Sequence, residues 1–90
     1  MTHAPRTAED QFALDRFGRL LHRRLQVAVA CSQMPEAGAR QSWLIRALDG
    51  VIADELRLLK RIELTAEAGE LLVSFRQTMD WLKSSRDQAA

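Results

Sequence analysis

One cysteine, Cys31, and no tyrosine occur in the 90 residues. A single thiol cannot close an internal disulfide, so nothing points to an oxidising compartment, where small domains lean on such staples. Aromatics are few, three Phe and two Trp, and a core must therefore be assembled from Leu, Val, Ile and Ala. That composition suits helices better than a β-sandwich. The net charge of +1 gives no global attraction to nucleic acid or to an acidic membrane and leaves only a local basic face to do so. No apolar run approaches the roughly 20 residues of a membrane span, and Met1 to Asp10 lacks the basic-then-apolar layout of a secretion signal. A cytoplasmic protein with no membrane association is expected. Gly-rich phosphate loops, nucleophile elbows and His-Glu-x-x-His metal motifs are also missing.

What is present is helical periodicity in a chain whose 47% hydrophobic and 28% charged residues mark a globular composition. The dominant stretch runs from Ala39 to Ile62. On a helix, Leu44, Ala47, Leu48, Val51, Ile52, Leu58, Leu59 and Ile62 share one face, opposite Arg46, Asp49, Arg57, Lys60 and Arg61. This stripe is too wide for one partner helix to cover, which predicts a central helix flanked by other segments or by a second subunit. Glu55 projects into the stripe, so its carboxylate needs a partner, and Arg24 of the first helix is a candidate. Asp49-Gly50 is a turn-like pair where a long helix could bend.

Before the central helix, Thr7 followed by Glu9 and Asp10 reads as a hydroxyl N-cap with acids in the first turn. Leu14, Phe17, Leu21, Leu25 and Ala28 then make a stripe, with Ala13, Leu20 and Val27 as a second flank toward another neighbour. Trp43 at the start of the central helix is expected to cap the core beneath the Pro35–Gly38 break. After it, Thr65 with Glu67 signals a new start, with Ala68, Leu71, Leu72, Phe75, Met79 and Leu82 on one face. A continuous helix through 39–85, forming a long hairpin that must dimerise, is the structural alternative. The reading is a single all-α domain over 1–90: helices near 7–33, 39–62 and 65–85, frayed at 1–6 and 86–90, with a core completed by homodimerisation.

Converging polar groups of the kind that enzyme chemistry needs are scarce. His22 lies on a basic, solvent-side helix face, Cys31 has no companion with metal-ligand spacing, and the pairs Glu9/Asp10 and Asp54/Glu55 are adjacent and point to different helix faces. Neither an enzyme, a cofactor nor a metal is expected. Phe12 and Trp81 are large aromatics that fall off the core stripes, and Arg16, Arg19 and Arg23 form a basic face. These five are the candidate partner-binding residues of a protein that regulates, escorts in chaperone fashion, or inhibits another protein.

Gln11-Phe12-Ala13-Leu14, Leu21-His22-Arg23-Arg24-Leu25 with Ala28, and Ser42-Trp43-Leu44-Ile45-Arg46-Ala47-Leu48 resemble ribbon-helix-helix repressors of the Arc type over residues 11–58. The resemblance implies a dimer formed through a short strand that enters the DNA major groove. In it Phe12 and Leu14 point inward, while Gln11, Ala13 and Asp15 face the bases. A DNA-binding repressor or antitoxin is thus the alternative function. Ala13 and Asp15 depart from the polar and basic residues expected on that strand, and the connection through Pro35 is longer than usual.

Overall fold

Thr7 starts the first helix as its hydroxyl predicts. In the computed structural model, which describes residues 7–34, 36 and 40–89 and their side chains as far as 85, the Asp10 amide donates to Thr7 Oγ1 at 3.0 Å. The Thr7 amide donates back to the Asp10 carboxylate at 3.3 Å. This reciprocal capping box satisfies two amides that the first helical turn would leave bare. Helix α1 spans Ala8–Gln33 and ends at Met34, whose backbone has left the α region that a residue before proline avoids. The Pro35–Gly38 break and the frayed start at 1–6 lie outside the described residues, Glu36 aside.

Helix α2 spans Ser42–Arg61 and runs unbroken through Asp49-Gly50. It begins three residues after the expected start, with no side-chain cap on Gln41. Its end is a Schellman turn. The Leu64 amide donates to the Leu59 carbonyl at 2.8 Å and the Glu63 amide to that of Lys60 at 3.3 Å, with Glu63 in the left-handed region at φ 61°. Buried Leu59 and Leu64 lie in the same core cluster, the apolar contact that accompanies this motif. Helix α3 follows at once over Thr65–Ala89. The break near residue 63 is therefore a reversal and not mid-helix. Thr65 is the first helical residue and not the cap: the Leu64 carbonyl accepts from the Ala68 amide at 3.1 Å. The helix also continues four residues beyond the expected 85.

Three helices joined in this way form an up-down-up arrangement. Arg24 Nε meets Asp49 Oδ1 at 2.9 Å and Arg16 meets Glu55 Oε1 at 2.9 Å, which places α1 and α2 antiparallel. Grooves shared by residues 11–22 with 67–71, and by Ala28 and Ser32 with 79–83, place α1 and α3 parallel. The core is Ala13, Leu14, Phe17 and Leu21 of α1, Ile52 and Leu59 of α2, and Leu64 and Ala68 at the start of α3. Phe17 and Leu59 are its fully buried large side chains. Both flanks of α1 are used, one against each neighbour, as the paired stripes predict. No helix among the described residues is long and apolar enough to cross a membrane.

Candidate functional site

The outer face of α1 is built by the residues that its two core flanks leave over. Phe12 is 59% exposed, and one helical ridge further along, at i+7, the Arg19 guanidinium lies over its ring, 5.8 Å from the centroid. That distance is within cation–π range, about 0.5–1 kcal/mol for an exposed pair. The contact favours the arrangement in which the two exposed side chains lie together on the outer face of the helix. Exposed Arg23 stands one turn beyond Arg19, so the face presents an aromatic ring followed by two cations.

Arg16 belongs to the scaffold as much as to this face. Its guanidinium reaches across to Glu55, which is buried among apolar neighbours and is the partner-seeking carboxylate of the α2 stripe. Arg24, expected to answer Glu55, pairs with Asp49 instead. Glu55 keeps one oxygen, Oε2, buried with no hydrogen-bond partner among the described residues.

Beside the outer face, α1 and α3 enclose an open groove of about 710 Å³ lined by Asp15, Gly18, Arg19, His22, Glu70 and Leu71 among others. His22, expected on the solvent side, is exposed along this groove. Acidic and basic side chains alternate across it, and among the described residues no three His, Cys, Asp or Glu converge as metal ligands would. Cys31 is a half-buried free thiol.

Of the five candidates, the structure gathers Phe12, Arg16, Arg19 and Arg23 on one helix and leaves Trp81 apart. Trp81 is 65% exposed, but it lies on α3 at the level of Ala28 and Ser32, far from the Phe12 end of the bundle. Trp43 does not cap the core: it is 66% exposed. Residues 11–15, extended in the ribbon-helix-helix resemblance, are α-helical here. No protein-family model, curated protein or solved structure matches this chain.

Proposed function

We propose that this is a non-enzymatic cytoplasmic protein that binds another protein through the outer face of α1, and so regulates, escorts or inhibits it. The observation that carries the reading is Phe12, exposed and held beneath Arg19. Aromatic and arginine side chains dominate the residues that contribute most at protein interfaces. Holding them in place before docking reduces the ordering cost of association. Arg19 and Arg23 fit an acidic rim on the partner, and Arg16 contributes the half of its side chain that stays in solvent. Trp81 is a separate, second contact that a partner wrapping the end of the bundle would reach.

The test is quantitative capture of the partner by cross-linking in the native extract, comparing wild type with Phe12→Ala, Arg19→Ala and Trp81→Ala. Phe12→Ala and Arg19→Ala are each expected to weaken capture at least about tenfold with helical circular dichroism unchanged. Normal capture by all three variants would overturn the reading. The DNA-binding alternative has a different signature, duplex affinity that falls steeply with salt and depends on Gln11. Its strand reader would require residues 11–15 to leave α1.

A further inference from the structure

Helix α2 carries an apolar ridge that nothing in the monomer covers. Leu48, Ile52, Glu55 and Leu59 are the buried residues of α2, and α3 packs mainly along α1 and much less on α2. The rest of the wide stripe is left outside: Val51 is 38% and Leu58 41% exposed, Ala47 is exposed, and Trp43 stands at the head of the same ridge. We infer that this ridge is a homodimer interface, in which α2 packs antiparallel on α2 of a second copy around a two-fold axis beside Gly50 and Val51. The inference concerns a different surface from the α1 face and does not rest on it.

Three observations select a second copy as the occupant. The first is self-complementarity, which a two-fold contact demands. Antiparallel pairing about residues 50 and 51 sets Trp43 level with Leu58 of the partner subunit, and Ala47 level with Asp54 of the partner subunit. Gly50 and Val51 then meet at the axis. Large side chains thus face each other at the two ends, and small ones at the centre let the backbones approach. A Cβ added at Gly50 would meet nothing within 4 Å in the monomer, so this space is open for a neighbour. Asp54 falls opposite an alanine and is already neutralised by Arg57 at 2.8 Å, while Arg61, which shares the helical position of Trp43, lies beyond Leu58 at the end of the ridge.

The second observation is area. The chain exposes 6862 Å², where a folded monomer of 10.2 kDa exposes about 5,300 Å². That excess belongs to the whole elongated bundle and not to the ridge alone, and an interface of standard size takes roughly 800 Å² from each protomer. The third is shape. The radius of gyration is 15.4 Å and the shortest extent 16 Å, whereas a compact domain of this length has a radius near 12 Å. A second copy laid on the open α2 side thickens this slab into a bundle of ordinary proportions.

The experiment is the solution mass of the full chain by light scattering and sedimentation over a wide concentration range. Wild type is expected to reach twice 10.2 kDa. Val51→Glu, which brings two carboxylates together at the axis, is expected to weaken the dimer about a hundredfold or more while its helical circular dichroism persists. Should that variant unfold, cross-linking decides. In a Cys31→Ser background, Val51→Cys is expected to oxidise to a covalent dimer, and Lys60→Cys, exposed on the opposite side of α2 from Val51, is not. A wild type that stays monomeric throughout, or a dimer that Val51→Glu leaves intact, overturns the inference, as would equal cross-linking at 60 and 51. Phe12→Ala is expected to leave the dimer unchanged, so failure of the α1 reading and failure of this one are separable.

Discussion

Glu55 sits inside the contact between α1 and α2 with one oxygen on Arg16 and the other on no hydrogen-bond donor among the described residues. Desolvating a carboxylate with half its acceptors unused opposes folding, and the arginine only partly offsets this because half of it remains in water. Arg16→Ala is therefore expected to destabilise the protein by about 1–2 kcal/mol, read as a lower urea midpoint at unchanged slope. Adding Glu55→Leu to that variant is expected to recover the loss or exceed it, since apolar replacement of a buried pair is neutral or stabilising. Protein concentration must be held fixed, because association would itself shift the midpoint. A double variant less stable than Arg16→Ala alone would contradict this account. That Glu55 needed a cation was legible from its place in an apolar stripe. Which arginine answers was not. Arg16 and Arg24 lie two turns apart on the same flank of α1, and the choice depends on the register at which Phe17 and Leu59 pack.

At the level of the element, a helix boundary was legible where a side chain or a proline has a direct role in making it. Thr7 announces α1 because a hydroxyl followed by acids has a direct hydrogen-bonding purpose, and the structure uses it. The turn between α2 and α3 shows in the sequence only as a stripe that loses register. Nothing marks Glu63 as the residue that takes positive φ, a place where glycine is usual and any other side chain costs about 1–2 kcal/mol. The Leu59–Leu64 contact over-determines the turn and holds Glu63 there. Glu63→Gly is consequently expected to stabilise the protein by about 0.5–1 kcal/mol, the relief of Cβ strain exceeding glycine's larger entropy in the unfolded chain. Thermal melting of the variant beside wild type at one concentration checks this. A lower melting temperature would mean that the side chain of Glu63 makes a compensating interaction worth more than the strain.

For the whole molecule, the number and type of helices followed from periodicity. The width of the α2 stripe anticipated an uncovered face, because one neighbour can bury only part of so broad an apolar surface. What periodicity could not assign was which exposed aromatic belongs to which surface, since burial depends on how far α3 follows α1 in preference to α2. Trp43 and Trp81 are almost equally exposed, yet they stand on opposite sides of this question: Trp43 heads the α2 ridge, and Trp81 lies on the outer side of α3. Indole emission moves to the blue when the ring leaves water, so each can report on its own surface. With Trp81→Phe, the remaining Trp43 is expected to shift to the blue as protein concentration rises through the dimerisation range. With Trp43→Phe, Trp81 is expected to hold its emission over the same range, its samples being shown dimeric by light scattering, and to shift only when the protein partner is added. If Trp81 moved with concentration while Trp43 stayed solvated, the outer side of α3 would be the self-association surface. The α2 ridge would then be left for a different partner.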